Sequence, residues 1–257
     1  MTSRFILADF KDAIAAMADA SVDCILTDPP YGETSLKWDR WPPGWPSQLL
    51  RLLKPTGSMW VFGSTRMFFD HASEFRGWRL AQDVVWEKHN GSGFHADRFK
   101  RVHENALQFY PASARWEDVY KEPQFTHDAV ARSVRRNNRP AHTGDIGPSS
   151  YSTEEGGPRL MRSVIYCRSE HGRAIHPTQK PLGIVEPLLL YSCPPGGIVL
   201  DVFAGSGTTG VAAQRNGRHS ILVEGKEDIA IAAQQRLLGD SPLFTANASV
   251  ELERTAS

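Results

Sequence analysis

Two short stretches of the chain carry residue types at spacings that chemistry uses. Asp28-Pro29-Pro30-Tyr31 follows the apolar run Cys24–Thr27 (CILT), which reads as a buried strand. Proline has no N–H to donate and fixes its backbone, so this pair stiffens the turn and leaves the Pro29 carbonyl free to accept. An acid, a bare carbonyl and an aromatic ring then stand together at the carboxyl end of a strand. That set can grip an exocyclic amine and stack on the ring that carries it, although a strand-ending turn with a capping Asp would use the same residues. The second stretch, Asp201–Gly210 (DVFAGSGTTG), lies directly between a strand and a helix. Gly205 and Gly207 let the backbone pass close to a ligand, and the helix start offers unpaired N–H groups. Glu224 ends the next strand, where an acid can bond ribose hydroxyls. No Lys follows the second glycine, so this is not a phosphate-cradling P-loop. The unit is a nucleoside-binding design that serves NAD and S-adenosylmethionine alike.

These motifs need strands to hold them, and the flanking sequence supplies them. Phe5–Ala8 and Cys24–Thr27 are short buried-strand runs, with helical spacing over Asp12–Ala18 between them. A loop rich in Trp and Pro (Tyr31–Pro46, with Trp38, Trp41 and Trp45) precedes a helix predicted over Pro46–Leu53, stopped by Pro55-Thr56-Gly57. Strands are expected at Ser58–Phe62, Leu80–Trp86 and Ala106–Tyr110, with a helix over Arg66–Phe75. This βαβαβ rhythm predicts a doubly wound parallel α/β sheet with helices on both faces. It fails between Pro111 and Gly172, where only Ser163–Cys167 reads as a strand, and resumes from Pro181 through a helix (Leu182–Tyr191), a strand (Ile198–Val202), the glycine loop, a helix (Thr209–Arg215), a strand (Ile221–Val223) and a helix (Glu227–Leu238). The expected organisation is a first core segment over 1–110, an insertion over 111–172, a second core segment over 173–240 and a polar, frayed tail over 241–257. Sixty aperiodic residues inside a compact chain point to a functional insertion or a mobile segment.

Composition excludes several classes. With 257 residues, 23% charged and 40% hydrophobic, the chain is globular rather than disordered or fibrous. No run of about 18 apolar residues provides a transmembrane helix, and the N-terminus does not resemble a secretory signal, which predicts a soluble, cytoplasmic protein without a membrane partner. Cys24, Cys167 and Cys193 are scattered, and His71, His89, His95 and His127 have no ligand spacing, so no metal is expected. Net charge is zero but uneven: residues 88–180 carry 15 basic against 10 acidic side chains, while the flanks carry the opposite excess. A basic middle suits phosphate binding.

A third motif, His176-Pro177-Thr178-Gln179-Lys180-Pro181, makes the pattern specific. DPPY first, a long variable region, then HPTQKP and FAGSGTT together resemble the amino DNA methyltransferases, in that family's beta-type order. The resemblance covers roughly residues 4–110 and 163–238. It also includes Trp86-Glu87-Lys88 with Asn90-Gly91, and His103-Glu104 before an apolar strand. It implies S-adenosylmethionine as cofactor. Asp9 and Phe10 would contact its adenine, Thr178 and Lys180 its methionine carboxylate, Glu224 its ribose. Asp201, Phe203, Ala204, Gly205, Ser206, Gly207 and Thr208 would form the loop around the remainder. Asp28, with Pro29, Pro30 and Tyr31, would hold the target base beside the cofactor.

The chemistry then follows. An adenine amino group is a weak nucleophile because its lone pair is conjugated with the ring, and a duplex hides it, so the base is flipped out. Accepting both N–H bonds, at Asp28 and the Pro29 carbonyl, frees that lone pair. The opening acid suggests N6-adenine methylation. N4-cytosine methylation uses the same geometry and is the alternative; a DNA-binding relative without catalysis is a further one. Lys100, Arg101, Arg132, Arg135, Arg136 and Arg139, with Asn137 and Asn138, are the expected double-stranded DNA contacts, either to phosphates or, because Arg suits guanine and Asn adenine in the major groove, to base edges; a solvated loop without such a role is the alternative. The family often dimerises, so a homodimer is a further expectation.

Overall fold

The computed structural model describes residues 2–92, 96–136, 148–170, 172, 174–176, 178–240 and 249–254. Two compact units emerge, residues 1–122 with 163–257, and residues 123–162.

The larger unit is built on a nine-stranded sheet in the order β10-β4-β5-β3-β2-β11-β12-β1-β13. Its strands are β1 (Thr2–Leu7), β2 (Val22–Thr27), β3 (Leu53–Gly63), β4 (Trp78–Ser92), β5 (Arg101–Pro111), β10 (Val164–Tyr166), β11 (Ile198–Asp201), β12 (His219–Glu224) and β13 (Ser249–Arg254). The helices are α1 (Phe10–Ala15), α2 (Trp45–Leu49), α3 (Thr65–Asp70), α4 (Leu182–Ser192), α5 (Thr208–Arg215) and α6 (Glu227–Gly239). Side chains alternate across a strand, so a doubly covered sheet needs apolar residues on both faces. In β2, Ile25 joins a core with Ile14 of α1 and Leu49 of α2. Its neighbours Cys24 and Leu26 join a second core with Ile184 and Leu188 of α4 and Ala212 of α5. Helices on both faces follow from that alternation.

Four expectations change. β5 runs antiparallel to both β3 and β4. Only eight residues separate β4 from β5, and a parallel return needs a crossover of about a dozen or more. α2 ends at Leu49 and β3 already starts at Leu53; Pro55 is accommodated where the β2–β3 register shifts, a place that asks for no ladder N–H. The aperiodic insertion is shorter than expected. Residues 111–122 belong to the larger unit, Tyr120 and Glu122 donating backbone bonds to Thr56 and Tyr191, and β10 pairs with β4. Within the expected tail, residues 249–254 form β13 beside β1, tied by a two-pronged Arg4–Glu253 bond of 2.8 Å on each arm.

The smaller unit holds two antiparallel ribbons, β6 (Phe125–Thr126) with β9 (Arg159–Leu160) and β7 (Arg132–Arg136) with β8 (Ser149–Thr153). Arg132 and Arg135 are exposed on β7, and the Arg132 guanidinium lies 5.5 Å from the centre of the Tyr151 ring. Asn137, Asn138 and Arg139 lie outside the described residues.

Candidate active site

Parallel strands β1, β2, β3, β11 and β12 end on one edge of the sheet, and ligands of such sheets bind outside those carboxyl ends. A cleft of about 1830 Å³ lies there, lined by Asp9 and Phe10 after β1, Asp28–Tyr31 after β2, Asp201–Ser206 after β11 and Glu224 ending β12. The sequence-predicted residues of the larger unit therefore gather in one place, except Gly207, which does not line the cleft, and Lys100 and Arg101 are also on its wall. Arg101 stands 3.3 Å from Glu33, in the loop that follows Tyr31.

One half of the cleft is walled by aromatic rings, the glycine loop and Glu224. Phe10 and Phe203 bring their rings to 5.3 Å and form an apolar wall. Asp9 caps α1 by accepting from Lys11 N–H at 2.9 Å. Glu224 accepts from Gly205 N–H at 3.0 Å and from Lys226 N–H at 2.9 Å, one bond per oxygen, so each oxygen keeps a lone pair for a further donor. Burial pushes its carboxyl up, and the backbone N–H groups counter this only in part. Gly207 adopts φ +72°, a conformation that favours glycine, and a Cβ there would also crowd Leu237, Phe5 and Ala233 at 3.1–3.3 Å. Thr178 bonds with His176 through its hydroxyl at 3.1 Å, and Trp38 approaches both His176 (5.7 Å) and Lys226 (5.3 Å), closing the rim. Trp41 and Trp45 instead pack on the domain, Trp41 stacked on His71 at 4.0 Å and Trp45 fully buried.

Asp201 does a different job from the expected ligand contact. It is buried and accepts from the Thr27 hydroxyl at 2.8 Å, the Thr209 hydroxyl at 2.7 Å and Phe203 N–H at 3.1 Å. It thereby locks the end of β2 to the glycine loop and α5. Burial raises its carboxyl to about 6 despite those donors. Thr208 donates to the Lys180 carbonyl at 3.0 Å, which ties the same loop to the HPTQKP segment.

The other half of the cleft is a buried cluster of charges. Lys180, expected beside a cofactor carboxylate, directs its ammonium to Asp28 and, at 2.9 Å, to Glu104 of β5. Glu104 also takes Lys88 of β4 at 2.6 Å. The Tyr31 hydroxyl stands 2.6 Å from Asp28 Oδ1 and 2.8 Å from Glu104 Oε1. Burial raises the Asp28 carboxyl and the neighbouring Glu104 charge adds to this, while Lys180 draws it back. Burial also opposes ionisation of Glu104, but Lys180 and Lys88 outweigh it and bring this carboxyl to about 2. The result is an ionised Glu104 beside an Asp28 that takes up a proton more readily than an ordinary aspartate. The resemblance included Lys88 and Glu104 but gave them no role. Both fall just outside the strands expected at Leu80–Trp86 and Ala106–Tyr110 and inside the longer β4 and β5 of the structure.

Fold and cleft define an α/β protein with an open site at the carboxyl ends of its parallel strands, walled by Phe10, Phe203 and Glu224 on one side and by the charge cluster around Asp28 on the other. A family model described as DNA methylase matches residues 22–235, and the chain belongs to that family. It is 27% identical to the type II methyltransferase M.HinfI of Haemophilus influenzae, over 91% of this chain and 68% of that protein. Among solved structures, the M1.HpyAVI–SAM complex shares 25% identity at a TM-score of 0.63, covering 91% of this chain and 98% of the other. The PvuII cytosine-N4-specific DNA methyltransferase shares the fold at 15% identity and a TM-score of 0.63, covering 97% and 94%.

Proposed function

We propose that this DNA methyltransferase transfers a methyl group from S-adenosylmethionine to the N6 amino group of adenine flipped out of duplex DNA. The observation that carries the reading is Asp28 at a strand end, held by Tyr31 and Lys180, in the same cleft as the Glu224 and glycine-loop side. The residues present fit the cofactor: a two-ring wall at Phe10 and Phe203, a half-buried Glu224 with spare lone pairs for ribose hydroxyls, and a glycine loop open to the cleft. A related protein of 25% identity is named as a complex with the same cofactor.

When bound, S-adenosylmethionine supplies an activated methyl group on a positively charged sulfur. Asp28 and the Pro29 carbonyl accept the two N–H bonds of the target amine, which turns its lone pair outward. Holding that nitrogen in line is a proximity effect worth several kcal/mol. Asp28 receives the amine proton only once attack is under way, so a strong base is not required beforehand. Tyr31, its hydroxyl held by the two carboxylates, offers a ring face to the extruded base, which contributes about 1–3 kcal/mol against the cost of unstacking.

The test is incubation of the purified protein with duplex DNA and labelled cofactor, followed by digestion to nucleosides. N6-methyladenine is expected. The likeness to a cytosine-N4-specific enzyme keeps a second reading, and N4-methylcytosine as the sole product would establish it. No methylated nucleoside on any DNA would favour a binding protein without catalysis.

The smaller unit is proposed as the recognition element. Replacing Arg132 and Arg135 with alanine should weaken DNA binding while cofactor affinity stays unchanged. Arginines that touch phosphate would lower the log–log salt slope by about 0.9 per contact, equally for all sequences. Arginines that read bases would relax the target instead, at about 1–3 kcal/mol of discrimination each. A salt titration on cognate and scrambled duplexes separates these, and unchanged affinity and slope on both would move the recognition element elsewhere.

A further inference from the structure

The scheme above uses Asp28, Pro29 and Tyr31, yet two further buried charges stand against them. Glu104 and Lys180 side chains are 7% and 9% exposed, and neither is needed to grip an amine. The groups facing Asp28 come from every side: Tyr31 from the loop after β2, Lys180 from the segment before α4, Glu104 from β5 with Lys88 of β4 behind it, and Asp201 at the end of β11. His176 is the other titratable group near Lys180. Two ammoniums thus balance Asp28 and Glu104, and the Tyr31 hydroxyl, with one proton, lies within bonding distance of both carboxylates. Because it can donate to only one at a time, a second anion at this point shares the donor that Asp28 would otherwise monopolise. The same holds for Lys180, whose ammonium is divided between the two.

We propose that Glu104 is a positioning residue of methyl transfer: it draws Lys180 and the Tyr31 hydroxyl partly away from Asp28, which leaves the Asp28 lone pairs available to the target amine, and Lys88 holds Glu104 in place. The inference rests on the methyltransferase reading of the cleft. Without the Glu104 charge, Lys180 and Tyr31 would close on Asp28 alone. It would stay ionised but accept the amine poorly. The opposite change at Lys88 would release Glu104 to act more strongly on Lys180, leaving Asp28 less compensated.

Single-turnover methyl transfer at saturating cofactor and duplex, followed across pH, tests this in the wild type, Glu104→Gln, Glu104→Asp and Lys88→Met. Glu104→Gln should lose about tenfold or more in rate with cofactor and DNA affinities nearly unchanged. Its acid limb should move to lower pH, because a negative neighbour of Asp28 is gone and Lys180 remains. Lys88→Met should move the limb to higher pH, and Glu104→Asp should restore part of the rate. A merely structural role would not shift the limb in opposite directions. Near wild-type rates with unmoved limbs overturn the proposal, as does a Lys88→Met limb that moves downward; should Glu104→Gln fail to fold, the Lys88→Met limb decides alone. A wild type that methylates no DNA instead sinks the methyltransferase reading, and this inference with it.

Discussion

Replacing Asp28 with alanine is expected to lower single-turnover methyl transfer by about 10²–10⁴-fold while cofactor affinity stays within about an order of magnitude. Asp28 accepts the amine and later its proton, an interaction that strengthens only as attack proceeds, so its loss falls on the rate rather than on binding. The fold should survive the change. Lys180 keeps Glu104 at 2.9 Å, and the Tyr31 hydroxyl keeps the same carboxylate at 2.8 Å, so both retain a partner although Lys180 and Lys88 then share one carboxylate, at some cost in stability. In the wild type, transfer needs Asp28 ionised. Burial with the Glu104 charge raises its carboxyl, so activity should fall on the acid side at a pH above the ordinary aspartate range. Rapid-quench rates and a cofactor titration of both proteins are the measurement. Near wild-type turnover in the alanine variant would remove Asp28 from the reaction.

The sequence made legible what is local. DPPY, the glycine loop and Glu224 each sit at a strand end, and the periodicity of β1, β2, β11 and β12 was enough to bring those ends to one edge. The charge cluster was not legible, because its members lie far apart in the chain and meet only through strand direction. Lys88 and Glu104 become neighbours because β4 and β5 pair antiparallel, with Trp86 opposite Glu104 and Glu87 opposite His103. An apolar pattern reports that a strand is buried, not which way it runs. The resemblance put Lys180 beside the cofactor carboxylate, and its motif held no sign of the contacts with Asp28 and Glu104.

The remaining differences have local causes too. Residues 111–122 look like insertion because they lack period, yet two backbone bonds anchor Tyr120 and Glu122 to the larger unit. Ser-Val-Glu-Leu-Glu-Arg over 249–254 alternates apolar and charged residues as a half-buried strand should, and its Val250 and Leu252 pack against the core containing Phe5 and Leu237. That alternation is short and flanked by polar residues, so composition alone marks the segment as tail.

Lys180→Met is expected to destabilise the protein by about 3–5 kcal/mol at neutral pH and to abolish transfer there, since removing one partner of a buried ion cluster leaves uncompensated charge behind. Lys88 still neutralises Glu104 at 2.6 Å, so the orphan is Asp28, whose carboxyl burial already raises and which then loses the cation that draws it back. An acid whose folded pKa lies above its unfolded value binds more protons when folded, so stability is greatest below the unfolded pKa and falls as pH rises towards the folded one. The deficit against the wild type should therefore be small near pH 4, about the unfolded value for aspartate, and widen as pH rises until Asp28 of the variant is fully ionised. Transfer should be lost over the same range, because a protonated Asp28 cannot accept from the amine. Thermal unfolding of both proteins across pH, beside a cofactor titration, distinguishes this from a lysine that serves the cofactor's carboxylate. In that case the melting curves would coincide at every pH and the loss would appear in cofactor affinity alone.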